Sequence, residues 1–129
     1  MKLKVPVSAG EIIDKATILE IKTNRIKDPV KVMGAIKELK ELTPAVKKIL
    51  SANKNLVVLK RSLFNVNCKL WDIENSIRKL EYKKDFSIKF VKLARSVYIN
   101  NDKRAKLKND INKLSGSKIS EVKEYTKYN

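Results

Sequence analysis

The sequence contains no histidine, one cysteine, three glycines and three prolines. Without histidine, the chain lacks the side chain that most often serves as a general base, proton shuttle or metal ligand near neutral pH. Cys68 has no second cysteine for an internal disulfide or a zinc or iron–sulfur site, so we interpret it as a packing residue. Glycine-rich phosphate loops and nucleophile elbows are also missing. These absences predict no cofactor and no metal, and they favour a non-enzymatic protein over an enzyme.

Long apolar runs are missing as well. No stretch approaches the roughly 18 apolar residues of a transmembrane helix, which predicts no membrane span. The opening residues Met1 to Pro6 lack the apolar segment of a signal peptide, so we expect a cytoplasmic protein. A length of 129 residues predicts one domain, residues 1–129, with an extended segment at 1–7 and a tail at 117–129.

The formal net charge of +16 raises the question of nucleic-acid binding. Of the 30 basic residues, 25 are lysine and only five are arginine, and asparagine and isoleucine are also abundant. AT-rich codons supply these three residue types, and base or phosphate recognition favours the planar donor fork of arginine. Non-specific nucleic-acid binding through distributed lysines therefore stays open but is not favoured.

The stretch from Leu56 to Leu114 predicts two long helices joined by a turn at residues 83–85. Its apolar residues are spaced three and four apart, as in a coiled-coil seam. Asn100 and Arg104 occupy positions where this seam should be apolar. We expect helices at about 54–83 and 86–114, with Asp85 capping the second and Gly116 closing it in a left-handed conformation. The first half of the seam consists of Leu56, Leu59, Leu63, Val66, Leu70, Ile73, Ile77 and Leu80.

Shorter helices are predicted before the hairpin. Ser8 and Glu11 fit a capping box for a helix that ends at about residue 27. Asp28-Pro29 then predicts a stop and a restart, followed by a helix to about residue 42. Thr43-Pro44 has the same form and predicts a separate short helix at about 44–51. The expected fold is all-α: a helical bundle built on the long antiparallel hairpin, with two or three shorter N-terminal helices packed on it and a tail that docks or frays.

The hairpin brings polar residues of its two helices to similar heights. With the turn centred on position 84, residue n faces roughly residue 168 − n, a geometry that puts Trp71 and Glu74 near Arg95 and Phe64 near Arg104. One interpretation is an ion-pair network in which Arg95 pairs with Asp72 or Glu74. The other is a binding site, because arginine is retained here in a lysine-rich chain. The candidate binding residues are Trp71, Glu74, Arg78, Arg95, Tyr98, Asn101, Asp102 and Arg104.

Two polar residues of the first helix are weaker candidates. Asp14 lies near the helix N-terminus, where a carboxylate is favoured by the helix dipole alone. Arg25 with Asp28 is typical of the electrostatics at a helix end. Neither pattern requires a ligand.

The motifs Val5-Pro6-Val7-Ser8-Ala9-Gly10-Glu11, Leu70-Trp71-Asp72-Ile73-Glu74 and Leu93-Ala94-Arg95-Ser96-Val97-Tyr98 resemble an uncharacterised family of short bacterial helical proteins. The resemblance continues through Asn101-Asp102, Arg104-Ala105 and Ile111-Asn112, and so covers nearly the whole chain. It implies a small helical protein without an established activity, substrate or cofactor. Relatives look less basic, which implies that the polar residues are the family's shared feature and the lysine excess is peculiar to this chain.

The leading hypothesis is a small non-enzymatic binding or adaptor protein that presents a polar and aromatic patch to a protein partner or small anion. Non-specific nucleic-acid binding is one alternative. A small helical enzyme with an arginine-lined anion pocket is another, because such bundles perform chemistry without histidine. A homodimer is also predicted, since Phe64 and Trp71 extend a second apolar face along the first hairpin helix, at about 54–83.

Overall fold

A computed structural model describes residues 1–120 and 122–129, so that position 121 of the predicted tail lies outside the described residues. It contains four helices: α1 (Ala9–Arg25), α2 (Pro29–Leu50), α3 (Asn55–Tyr82) and α4 (Ile88–Ser115). No strand occurs in the described ranges. The all-α prediction is therefore confirmed, with two shorter N-terminal helices preceding the long hairpin.

Helix α1 begins as a capped helix, although only half of the predicted capping box forms. The Ser8 hydroxyl accepts a hydrogen bond from the Glu11 amide at 3.2 Å. The Glu11 carboxylate does not return to the Ser8 amide but forms an ion pair with Lys108 at 2.6 Å. The cap thus joins the start of α1 to α4 as well as satisfying an orphan amide.

Helix α2 is continuous from Pro29 to Leu50, so the predicted break at Thr43-Pro44 is wrong. Pro44 has no backbone N–H, so the carbonyl of Lys40, four residues earlier, lacks its helical hydrogen bond. Lys40 is exposed, so water can take the place of the missing donor. Val46 and Ile49 beyond the proline pack against the core. Tertiary packing therefore outweighs the local signal for a break.

The turn between α3 and α4 differs in detail from the prediction. Helix α4 begins at Ile88 rather than at about 86, with Ser87 as its N-cap residue. Asp85 accepts a 3.0 Å hydrogen bond from the Ser87 amide and so stabilises the turn rather than the first turn of α4, which corrects the predicted cap. Gly116 adopts φ 73° at the end of α4, as predicted.

Lys84 is the one non-glycine residue with positive φ in the described ranges, at 55°. An L-residue in this left-handed region costs about 1 kcal/mol that glycine avoids. We expect Lys84→Gly to raise the free energy of unfolding by up to about 1 kcal/mol in urea denaturation. Lys83→Gly is the matched control: φ is −79° there, so glycine should lower stability. Equal effects at both positions would contradict the argument.

The core lies at the end of the hairpin remote from its turn. Ile13, Leu56, Leu63 and Ile111 are fully buried there and join α1, α3 and α4. Helix α1 packs against all three other helices, and α2 covers its outer side. Beyond this core, no residue from 74 to 99 is buried. None of the described helices is long and apolar enough to cross a membrane.

Candidate functional site

A polar network lies inside the bundle, centred on the Asp14 carboxylate of α1, which is only 3% exposed. The guanidinium of Arg104 on α4 donates two hydrogen bonds to it, at 2.9 Å from Nε and 2.5 Å from Nη2. The side-chain amide of Asn67 on α3 donates a third at 2.9 Å. The same amide reaches the fully buried Thr17 hydroxyl at 2.9 Å. Three helices are thus joined through one buried carboxylate.

The network keeps Asp14 ionised. Burial raises the pKa of Asp14, because a charge is disfavoured away from water. Hydrogen bonds from Arg104 and Asn67 and the charges of Arg104 and Lys108 lower it, and together they hold the pKa below its usual value of 3.8. At neutral pH, Asp14 and Arg104 therefore form an ion pair in which a planar guanidinium holds a buried carboxylate.

The side chain of Arg104 connects the buried network to the surface. Its side chain is 30% exposed, whereas that of Asp14 is 4% exposed. Because two bonds fix the guanidinium on Asp14, its orientation is set by α1 rather than by solvent. The exposed part lines a groove on the outer surface of the bundle.

This groove lies between α1, α3 and α4 and has a volume of about 510 Å³. Four apolar side chains form part of its lining: Ile18, Ile21, Leu70 and Trp71. The polar lining consists of Asn67, Glu74, Asn75, Arg78, Asn101 and Arg104. Its volume lies in the range of small-molecule sites, and a buried ionised carboxylate with a lowered pKa adjoins it. We refer to this feature as the Trp71 groove.

Charges around the Trp71 groove are paired. Arg78 forms a short ion pair with Glu74 one helical turn away on α3. Arg104 is held by Asp14. A further ion pair joins Arg25 of α1 to Asp72 of α3 at 2.6 Å. Arg25 therefore bridges two helices instead of interacting with Asp28 as the sequence suggested.

The structure brings five of the eight predicted binding residues together and separates the other three. Tyr98 and Asp102 face the C-terminal tail, where the Tyr128 hydroxyl donates to Asp102 at 2.7 Å and the Tyr98 and Tyr128 rings are 5.0 Å apart. Arg95 is exposed on α4 and does not line the groove. The five residues of the Trp71 groove are Trp71, Glu74, Arg78, Asn101 and Arg104.

Two contacts predicted between the hairpin helices are not observed. Asp72 and Glu74 are paired with Arg25 and Arg78, so the predicted pairing of Arg95 with either carboxylate is wrong. Phe64 lines a different surface depression, with Glu20 and Lys60, rather than facing Arg104. Both errors arise because a simple height rule ignores rotation about the helix axis, where one residue corresponds to about 100°.

Sequence reasoning missed the importance of Asp14 and the roles of Thr17 and Asn67. A signal for the network was present at one of the two seam positions of α4 that should have been apolar. Arg104 reaches Asp14, whereas the buried Asn100 donates to the Ser96 carbonyl of its own helix. On α3 the buried seam includes Asn67 where Val66 was expected, and Val66 is only half-buried. Polar residues at buried seam positions require polar partners, and these identify the network.

Next to this network, the start of α1 lies against α4. The Gly10 amide donates to Asn112 Oδ1 at 2.6 Å. A Cβ atom at Gly10 would overlap the carbonyl oxygen of Lys108 and lie 2.9 Å from Asn112 Oδ1. Gly10 is therefore required for the close approach of the two helices, and this approach places Asp14 within reach of Arg104.

A metal site is not evident: in the parts of the chain that the structure describes, no cluster of three or more cysteine, aspartate or glutamate side chains has the arrangement of a metal site. Three carboxylates of the helices, those of Glu11, Asp14 and Asp72, are instead paired with lysine or arginine.

Comparison with known protein families places the chain in a family. The model of a family of unknown function, DUF6165, matches residues 3–128. The chain belongs to DUF6165. The match includes every residue of the Trp71 groove and of the buried network, although the family's description assigns no activity to them. Neither the curated proteins nor the solved structures include a match to this chain.

Proposed function

We propose that this DUF6165 protein is a non-enzymatic binding protein whose Trp71 groove takes a small amphipathic organic anion. The observation that carries the proposal is the position of Trp71, which lies in one groove with the fixed guanidinium of Arg104 and the ion-paired Arg78. An apolar surface beside oriented polar groups is the usual composition of a small-molecule site.

The paired charges favour a ligand with an apolar body over a bare inorganic anion. Asp14 and Glu74 neutralise much of the positive charge of the two arginines in the groove. A free phosphate or sulfate would gain little from such groups, because each guanidinium already holds a carboxylate. A ligand that also buries apolar area against Ile18, Ile21 and Trp71 gains roughly 25 cal/mol per Å² of contact.

The arrangement supports binding better than catalysis. General acid–base catalysis needs a group that titrates near the working pH. The buried carboxylate beside the groove, Asp14, instead has its pKa held below its ordinary value by Arg104 and Asn67, and the carboxylate in the lining, Glu74, is paired with Arg78. An adaptor role towards a protein partner stays a prediction. The organisation of residues 1–129 as one domain also stays a prediction, and the contacts of α1 with all three other helices support it.

The experiment exploits the fact that Trp71 is the sole tryptophan. We expect 3-phenylpropionate to change its fluorescence with a Kd of about 1 mM or tighter, as befits a small ligand in a groove. The neutral amide of the same compound should bind several-fold more weakly. Arg78→Gln should weaken binding of the carboxylate about fivefold, the effect of one charge-assisted hydrogen bond at an exposed site.

Arg95→Gln is the matched control, because it removes the same charge from an exposed position outside the groove. Equal losses in the two variants would show a non-specific response to net charge. Equal affinities for the acid and its amide would show that no anion is recognised. A fluorescence signal from neither compound would contradict the proposal and leave a protein segment as the favoured occupant.

A further inference from the structure

The half of the hairpin nearest its turn projects from the rest of the protein. Ile73 of α3 is buried, and the next buried residue along the chain is Asn100 of α4. The residues between them form two antiparallel helices that pack only partly on each other. We call residues 74–99 the hairpin arm.

The arm extends well past the N-terminal helices. The last residue of α1, Arg25, bonds to Asp72 of α3 at 2.6 Å, which fixes the level at which α1 ends. Ten further residues of α3 lead to its end at Tyr82, a rise of roughly 15 Å. The end of the arm therefore lies beyond a Debye length of about 8 Å from the body of the bundle.

The end of the arm exposes apolar side chains on both sides of the turn. Tyr82 at the end of α3 and Phe86, Ile88 and Val91 around the start of α4 are each between 44% and 88% exposed. Isolated exposed apolar residues are normal, but these four lie within ten residues around one turn, which concentrates exposed apolar area at the end of the arm. We call these four residues the apolar tip.

Exposed lysines precede, separate and follow the residues of the apolar tip along the chain. Five of them lie between positions 79 and 92, against two acidic residues in the same stretch. Asp85, one of the acidic residues, is half-buried in the turn and accepts the Ser87 amide. The whole arm carries seven basic and three acidic residues, a net charge of +4. The five exposed lysines are Lys79, Lys83, Lys84, Lys89 and Lys92.

We propose that the apolar tip docks the protein peripherally on an anionic lipid bilayer. Exposed aromatic and aliphatic side chains ringed by lysine are the composition of interfacial membrane anchors, in which the apolar groups enter the headgroup region and the lysines meet anionic lipids. The projecting arm brings the tip to the surface while the body of the bundle stays in water.

Other occupants fit the tip less well. A second copy of the chain would bring two arms of net charge +4 together, and this repulsion opposes a symmetric four-helix interface. Nucleic acid would pair with the lysines and stack on Tyr82 and Phe86, but it would leave the aliphatic Ile88 and Val91 without a partner. An acidic protein partner is a further candidate, and binding to poly-glutamate tests it. The proposal is independent of the Trp71 groove, whose lining includes none of the four residues of the apolar tip.

The test is flotation of the full chain with vesicles. We expect binding to vesicles of phosphatidylcholine and phosphatidylglycerol at 3:1, and little binding to pure phosphatidylcholine. Raising the salt concentration should weaken binding without abolishing it, because the apolar contribution is not screened. Each lysine near an anionic surface contributes about fivefold, so Lys83→Gln/Lys89→Gln should weaken partitioning about 30-fold.

Matched controls lie at the opposite end of the bundle. Lys47→Gln/Lys48→Gln removes two exposed lysines at the end of α2 and should change partitioning by less than about threefold. Tyr82→Ser/Ile88→Ser should weaken partitioning at least about tenfold through lost apolar burial. Val57→Ser/Val58→Ser removes two exposed apolar residues at the start of α3 and should leave it unchanged.

Several outcomes would overturn the proposal. Equal loss from the tip and control lysine pairs would indicate general attraction by net charge. No binding to the anionic vesicles would exclude membrane docking. Binding to poly-glutamate that depends on the apolar tip, without vesicle binding, would assign the tip to an acidic protein. Circular dichroism spectra that match the wild type confirm that the variants tested are folded.

Discussion

Replacing Arg104 with methionine should lower the free energy of unfolding by about 3–5 kcal/mol at pH 7, the largest effect we expect from a single substitution in this chain. Methionine retains much of the apolar stem but leaves the Asp14 carboxylate buried at 3% exposure without its principal partner. Desolvation of that charge is then no longer offset. Urea denaturation monitored by circular dichroism measures the loss.

Arg78→Met is the matched control. It removes an arginine that also pairs with a carboxylate, but at 72% exposure, so the loss should stay below about 1 kcal/mol. The double variant Asp14→Leu/Arg104→Met should recover most of the stability, because it leaves no buried charge. Similar losses in the two single variants would show that the Asp14–Arg104 pair is not special.

The pH dependence provides an independent readout of the same pair. In the wild type the pKa of Asp14 lies below 3.8, so its carboxylate stabilises the fold above that pH and the contribution is lost as pH falls through the folded-state pKa. In Arg104→Met the lowering by Arg104 is lost while burial still raises the pKa, so we expect the pKa of Asp14 to be higher than in the wild type. The stability difference between the two proteins should therefore shrink as pH falls from about 6 to about 3. A constant difference would contradict this account.

Gly10→Ala should lower the free energy of unfolding by about 2–3 kcal/mol, although alanine is the better helix former. The new methyl group would overlap the Lys108 carbonyl oxygen and crowd Asn112 Oδ1. Because both belong to α4, α1 must move away, which also weakens the 2.6 Å bond from the Gly10 amide. Thermal and urea denaturation measure the effect.

Gly34→Ala makes the same chemical change where a Cβ atom would meet open space. Position 34 lies within α2, so alanine should stabilise the protein by about 0.5–1 kcal/mol. A loss of stability in Gly10→Ala together with a gain in Gly34→Ala would show that helix packing decides the effect at position 10 and helix propensity the effect at position 34. Stabilisation at both would show that α1 and α4 can separate at no cost.

The Arg104 and Gly10 variants also bear on the Trp71 groove. Both disturb the placement of α1, which supplies Ile18 and Ile21 to the groove. Weaker binding of the phenylpropionate probe in these variants would therefore report on packing as much as on contact. For this reason the exposed pair of Arg78 and Arg95 provides the sharper test of the proposed function.

Local signals in the sequence predicted most of the secondary structure. Ser8 and Asp28 cap α1 and α2, and Gly116 closes α4 in the left-handed conformation. The three–four apolar spacing predicted the two hairpin helices to within about two residues at each end. A helix break was wrongly predicted at Pro44, because a proline affects only the local backbone. Packing of Val46 and Ile49 on the core keeps the rest of α2 helical.

The candidate site depended on information that a single helix does not contain. Asp14, Asn67 and Arg104 are separated by tens of residues, and each looks ordinary in its own helix. Their hydrogen bonds exist only because Gly10 lets α1 approach α4 and because helix rotation turns Asn67 rather than Val66 inward. Spacing along one helix defines a face, but the partner of that face depends on the packing angles.

The sequence by itself determined the class of fold, the two hairpin helices and the caps at Ser8, Asp28 and Gly116, because hydrophobic periodicity and capping are local properties of the chain. Tertiary structure decided which polar residues meet. It joined Asp14 to Arg104, left Arg95 outside the Trp71 groove and left residues 74–99 without a buried side chain. These outcomes depend on the rotation and closeness of helices distant in sequence, and here a single glycine sets how close two of them lie.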